Sequence, residues 1–280
     1  MGIYSIVKPT SNLLAFRELL SLLTRHRDLT FTMAVREIKD RYTGQLFGLF
    51  WTFGHPLTLM AVYVFIFGSV FKMRVGGTAD LPLGYTAYLL AGLIPWLAMS
   101  ETMGKSSTVI SSSATLVKQV VFPLEVLPVK SVLVSLFTEV IFLGLLVVYS
   151  LVSYRSLSWM YLLLPLVVVL QTLFMIGISY AISSVAVFFR DVKDFVQVFT
   201  VVGLYLMPTF YLPAAVPEMF RPVLYLNPFS YMVWCFQDVL YFGRFEHPWA
   251  WVVFLAISLI AFIFGYRVFR RLKDWFANVL

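Results

Sequence analysis

Val35-Arg36-Glu37-Ile38-Lys39-Asp40-Arg41-Tyr42, followed by Gly48, Trp51 and Pro56, is the stretch from which the rest of the chain can be read. Apolar residues recur at helical spacing (Phe31, Ala34, Val35, Ile38, Tyr42, Leu46), and Arg36, Glu37, Lys39, Asp40 and Arg41 fill the places between them. A helix with one charged and one apolar face lies in a membrane interface. The apolar run from Trp51 to Phe71 then enters the bilayer. Two readings stand side by side. One is the basic flank that precedes any first span; the other is a platform that passes a cytoplasmic partner's movement to the spans.

Composition agrees with a membrane setting. Of 280 residues 60% are hydrophobic and only 12% charged, about half the charged share of a soluble domain. Six runs have the length of a crossing: about 51–71, 86–104, 129–152, 159–186, 195–213 and 249–269. The predicted fold is an all-α integral membrane protein with six transmembrane helices. With the N-terminus inside, 16 of the 21 Lys and Arg residues fall in cytoplasmic segments, and only Lys72, Arg74, Arg155, Arg221 and Arg244 lie elsewhere. That asymmetry predicts both termini in the cytoplasm. It also accounts for the net charge of +7 without any nucleic acid.

Residues 1–50 form a cytoplasmic interfacial region. They include a first amphipathic helix over Asn12 to Arg25, too short to span, and no short apolar run of the signal-peptide type. The opening Met-Gly-Ile-Tyr-Ser-Ile lacks the hydroxyl residue that myristoylation needs. The single cysteine, Cys235, reads as a small packing residue.

The remaining 51–280 form one membrane domain. Residues 72–85 are a short external loop. Residues 105–128 form an inner connection, Ser/Thr-rich at first and then Leu116 to Pro123, with room for a short helix along the membrane. The inner turn Phe189 to Asp194 is compact and alternates in charge. The external segment 208–248 is different. It holds six prolines (Pro208, Pro213, Pro217, Pro222, Pro228, Pro248) yet stays aromatic. Prolines cut it into two short helices, about 215–225 and 229–241, joined at Asn227-Pro228. Non-helical backbone at membrane depth survives only where protein or a water path covers it. The expectation is a re-entrant external hairpin, about 214–242, before the last span. The alternative is a pair of surface helices resting on headgroups, where Trp and Tyr gather.

Few chemical constellations are present. Gly104-Lys105-Ser106 matches the tail of a phosphate-binding loop, but position 99 is Met and the triplet ends a span rather than following a strand. His26, His55 and His247 have no metal-type spacing, and no paired acidic motif for a nucleotide-sugar metal appears. Glu139 lies near the middle of the third span. A charge there costs about 2.5–3.5 kcal/mol on insertion scales, so it should face the bundle interior or water. It is either a polar lining or proton site, or a partner in an interhelical hydrogen bond. Glu101, nearer the inner end of the second span, can reach the interface.

Arg41-Tyr42, Gly48-Leu49-Phe50-Trp51 with Pro56, Gly92-Leu93-Ile94-Pro95-Trp96, Phe122-Pro123, Phe189-Arg190-Asp191 and Asn227-Pro228 come in an order that resembles the membrane subunit of type-2 ABC exporters. The similarity is greatest to the branch that exports O-antigen, capsular polysaccharide or teichoic acid, and it covers about residues 25–280. Gln45, His55 and Asn278 depart from the usual Ser, Asn or Gln, and Asp. The resemblance implies a non-enzymatic channel subunit in a bacterial inner membrane, paired with a second copy of itself. It implies two copies of a separate cytoplasmic ATPase, which binds ATP and Mg; this chain needs no cofactor of its own. The implied cargo is a polysaccharide or polyprenyl-diphosphate-linked glycan.

By position, the ATPase-docking candidates are Arg36, Glu37, Lys39, Arg41, Tyr42, Lys118, Phe122, Pro123, Arg190 and Asp191. Aromatic rings stack on sugar faces without reading sequence, as they stack on bases in strand-tracking channels. The channel and gate candidates are therefore Tyr63, Phe67, Tyr85, Tyr88, Trp96, Phe210, Tyr211, Tyr225, Asn227 and Tyr231, together with Glu139. An ion-coupled secondary carrier and a membrane-embedded glycan transferase are the alternatives. The first would depend on Glu139, and the second lacks its acidic pair.

Overall fold

The computed structural model describes residues 21, 24–44, 47–66, 84–119, 122–155 and 157–280, which form helices joined by short turns, with no strand among them. In chain order these helices are α1 (Arg27–Tyr42), α2 (Trp51–Tyr63), α3 (Tyr85–Ser106), α4 (Ala114–Gln119), α5 (Val126–Tyr154), α6 (Leu164–Ala186), α7 (Val192–Tyr205), α8 (Arg221–Leu226), α9 (Pro228–Gln237), α10 (Pro248–Leu272) and α11 (Phe276–Val279). Phe67, the end of the first predicted span, most of the predicted helix Asn12 to Arg25 and nearly all of the loop 72–85 lie outside the described residues.

Three stretches among the described residues are long and apolar enough to cross a membrane: Val126–Tyr154, Trp159–Ala186 and Pro248–Val279. Three of the prolines read as breakers, Pro222, Pro228 and Pro248, act as starters, as does Pro165 of α6. Those of α6, α8, α9 and α10 stand in the first turn, where a missing N–H costs nothing and the fixed φ suits a helix.

α3 is the centre of the bundle. From Tyr85 to Met103 it is buried on nearly all sides. α5 runs antiparallel to it: Gly84 at the start of α3 meets the Tyr154 hydroxyl at the end of α5, and both helices share the partner Glu37 at their other ends. α6 runs parallel to α3, with Gln171 on Pro95 and Ser179 on Ser106. α10 runs parallel to α6 and packs on it more closely than any ordinary pair of side chains allows. A Cβ on Gly265 would lie 2.0 Å from the Gly177 carbonyl oxygen, and one on Gly177 would lie 2.3 Å from the Ala261 carbonyl. Small residues at such a crossing let two backbones touch where lipid offers no hydrophobic drive for association. Rings pack above and below this contact, Phe174 on Phe254 and Tyr180 on Tyr266 and Phe269.

The antiparallel order separates two ends. Glu37, Arg41, Glu101, Lys105, Glu125, Lys130 and Lys273 gather at one, the charged end. Tyr85, Tyr88, Tyr241, Tyr231, Trp234 and Trp249 gather at the other, the aromatic end. The outside of the bundle stays apolar; Phe195, Val198, Val201, Val202 and Tyr205 on α7 and Val252, Leu255, Ile260 and Phe264 on α10 are all exposed. So much contiguous apolar surface is foreign to a water-soluble monomer.

Candidate functional site

At the charged end, α1 is tied to two core helices by a chain of ions. Glu37 accepts from Lys130 of α5 at 2.8 Å and lies 3.3 Å from Lys105 of α3. Lys105 is also 3.2 Å from Glu101, and Glu101 takes the Arg41 guanidinium. The side chains in this chain of contacts are 15–35% exposed, so they are shielded from water far better than a surface pair. Burial pushes the Glu37 carboxyl up, but the hydrogen bond and charge of Lys130 and the charge of Lys105 outweigh it and hold it below its ordinary value. A depressed carboxyl stabilises the fold above its unfolded value, and that contribution disappears as pH falls through the folded one. Melting of the wild type should therefore weaken as the pH drops below about 4.5. Glu37→Gln is expected to lower the melting temperature at neutral pH and to flatten this acid limb. A variant with the wild-type acid profile would remove Glu37 from that role.

The docking candidates come to one end of the bundle but divide into two sets. Arg36, Lys39, Lys118, Arg190 and Asp191 are exposed. Glu37 and Arg41 are instead committed inward to Lys130, Lys105 and Glu101. Both reach toward opposite charges on α3 and α5, although Arg41 also keeps exposed surface. Tyr42 closes α1. Phe122 and Pro123 are half-buried, and Phe122 packs against the core. The inner connection carries the short helix expected of it, α4, and the neighbouring α11 buries Phe276 between Phe188 and Phe269.

At the aromatic end, the fifth predicted run stops short. α7 ends at Tyr205 rather than near 213, since Pro208 brings no N–H and disfavours helical backbone before it. The carbonyls that follow are taken up by side chains from elsewhere. Tyr88 donates to the carbonyls of Pro208 and Tyr211, Tyr85 to that of Phe210, Gln237 to that of Pro208, and Asn227 to that of Leu206. Asn227 also caps α9 by accepting from the Phe229 N–H.

Within the single chain, Tyr85, Tyr88 and Trp96 are buried (7%, 0% and 1% exposed) and support irregular backbone and core packing. Phe210, Tyr211 and Tyr231 remain partly accessible, Tyr225 is exposed, and Tyr63 is half-buried near Tyr205.

The two short helices of 214–242 also have different fates. α8 is largely exposed, whereas α9 and the π-helical turn Asp238–Phe242 are buried against α3, α6 and α10. Asp238 is fully buried and accepts three bonds, from the His247 backbone N–H, His247 Nδ1 and Trp251 Nε1. Trp234 stacks on His247, and Trp249 meets Trp234 edge-on. Sequence reading missed this cluster, because its members lie at offsets of 9 and 13 residues across a helix break.

Glu139 lies midway along α5, 1% exposed, and neither carboxyl oxygen has a hydrogen-bond partner among the described residues. Gln171 of α6 adjoins it.

Residues 28–241 match the family model of the ABC-2 type transporter, and the chain belongs to that family: it is a membrane protein of the ABC-2 transporter class. Among its relatives is the O-antigen export system permease protein RfbA of Klebsiella pneumoniae, 28% identical over 257 residues, which are 90% of this chain and 95% of that protein. A protein of the same name from Myxococcus xanthus is 28% identical over 258 residues, 91% of this chain and 96% of its own length.

Proposed function

We propose that the chain is the channel-forming subunit of an ATP-driven exporter that moves lipid-linked polysaccharide, of the O-antigen or capsule kind, out of the cytoplasm across the bacterial inner membrane. Two copies form the conduit, each crossing six times, and the segment 214–242 re-enters the bilayer as the outer gate. A separate ATPase binds ATP and Mg and docks at the charged end, which the basic asymmetry favours as cytoplasmic. The relatives' names support the cargo.

One observation carries the mechanism. α1 presents Arg36 and Lys39 outward and holds Glu37 and Arg41 on α3 and α5. A partner that tilts α1 therefore pulls on two core helices at once, and α3 holds the irregular segment after α7 through Tyr85 and Tyr88 at its far end. Such a lever works because a packed core shifts between discrete arrangements instead of deforming continuously.

The test uses the chain in lipid nanodiscs, alone and with a candidate partner ATPase. The chain alone is expected to be without ATP turnover, and the pair to hydrolyse ATP. Arg36→Glu with Lys39→Glu should weaken co-purification of the ATPase while leaving the chain's own melting intact. Turnover by the chain alone, or export that survives loss of the ATPase, would overturn the reading.

A further inference from the structure

A cavity of about 230 Å³ borders the ion network and reaches the middle of α5. Its polar lining is Arg41 of α1, His55 of α2, Glu101 of α3, and Ser135, Thr138 and Glu139 of α5; the rest is apolar. Arg41, His55 and Glu101 at its mouth keep exposed surface. Glu139 at its depth has almost none.

Neither Glu139 carboxyl oxygen has a hydrogen-bond partner among the described residues, and the amide of the adjoining Gln171 is engaged elsewhere. The Ser135 and Thr138 hydroxyls donate down their own helix to the carbonyls of Ser131 and Val134. The Gln171 amide nitrogen is given to the Pro95 carbonyl, and its Oε1 has no partner among the described residues. A buried carboxylate in such surroundings lacks both the cation and the hydrogen bonds that offset its desolvation. A carboxylic acid, by contrast, can donate to an acceptor such as Oε1. Across the cavity the titratable groups facing it are Arg41 from α1, His55 from α2 and Glu101 from α3; on the α6 side Glu139 meets the uncharged Gln171. The space is polar at one wall and large enough for several water molecules.

We propose that this cavity is a water-filled pocket through which Glu139 takes up and releases a proton. The proton arrives from water at the Arg41–Glu101 mouth and returns by the same route. Beyond Glu139 the helix continues with Phe142, Leu143 and Leu146 buried in the core, so the site binds a proton without conducting it across. This holds whatever cargo the chain moves and whichever partner drives it.

The test is infrared difference spectroscopy on the full chain in nanodiscs. The wild type should carry the carbonyl stretch of a protonated carboxylic acid that Glu139→Gln lacks. That band should shift promptly in D₂O and fade as the pH is raised. Ala98→Phe, which fills the cavity wall, should slow the D₂O shift severalfold. A second readout needs no substitution: dicyclohexylcarbodiimide should modify Glu139, mapped by peptide mass, less as pH rises. A band that does not respond to D₂O over hours would mean a dry acid and overturn the pocket. No loss of band in E139Q, or no modification of Glu139 at any pH, would overturn the proton site.

Discussion

Replacing Gly265 by valine is expected to destroy the folded chain as a monodisperse species in detergent. The physical reason is the contact with α6. A Cβ there would meet the Gly177 oxygen, carbonyl carbon and Cα at 2.0, 2.7 and 3.0 Å. All three are backbone atoms, so no rotamer change relieves the overlap and the helices must separate. Overpacking a core costs about 1–3 kcal/mol when side chains can adjust, and here they cannot, so the loss should lie at or above the top of that range. Separation would also loosen the ring contacts of Tyr180 with Tyr266 and Phe269. Gly177→Val should behave alike. Gly144→Ala, where nothing lies within 4 Å of the new carbon, is the control and should be neutral or better, since alanine favours a helix by about 1 kcal/mol over glycine. Size-exclusion profiles with melting temperatures decide the matter. A Gly265→Val protein that melts like the wild type would contradict the close crossing.

Asp238→Ala should be nearly as damaging, for a chemical reason. Its carboxylate is the acceptor for the His247 N–H, the His247 ring and Trp251 Nε1, all at 2.9–3.2 Å in a fully buried place. Removing it strands several donors, each at about 1–3 kcal/mol, and frees the start of α10 from the buried π-helical turn. The expected result is a fall of several kcal/mol in stability, about the sum of two such losses, with a red shift in tryptophan emission as Trp234 and Trp251 gain water. Asp238→Asn keeps one acceptor and should fall between. An unchanged melt for Asp238→Ala would show that the cluster is an ornament of the packing and not its support.

Much of the architecture was legible in the linear chain, because membrane segments announce themselves by composition. The runs 86–104, 129–152, 159–186 and 249–269 return as helices whose ends differ by only a few residues, and Asn227-Pro228 is indeed where one short helix gives way to another. A helix before Trp51 was legible too, from its period.

The site was less so. Periodicity says that Glu37 and Arg41 lie on a helix, but not that Lys130 and Glu101 wait 93 and 60 residues away. Aromatic content suggested rings open to a sugar, while Tyr88 and Trp96 are buried within the single chain. A ring's use depends on its neighbours, and nothing local distinguishes a stacking face from a packing one. The end of α7 was misjudged for the same reason. Its apolar run continues past Tyr205, yet hydroxyls and amides from α3 and α9 make a break at Pro208 tolerable.

The order of amino acids alone determined that this chain lives in a bilayer, where its apolar runs lie, and which loops carry positive charge. These are one-dimensional properties, set by the transfer of each segment out of water. The tertiary structure alone decided which charges neutralise one another, which glycines let backbones touch, and which buried carboxyls are satisfied. Those outcomes depend on distances between helices remote in the chain, and opposite charges, close backbones and hydrogen bonds act only across a few ångströms.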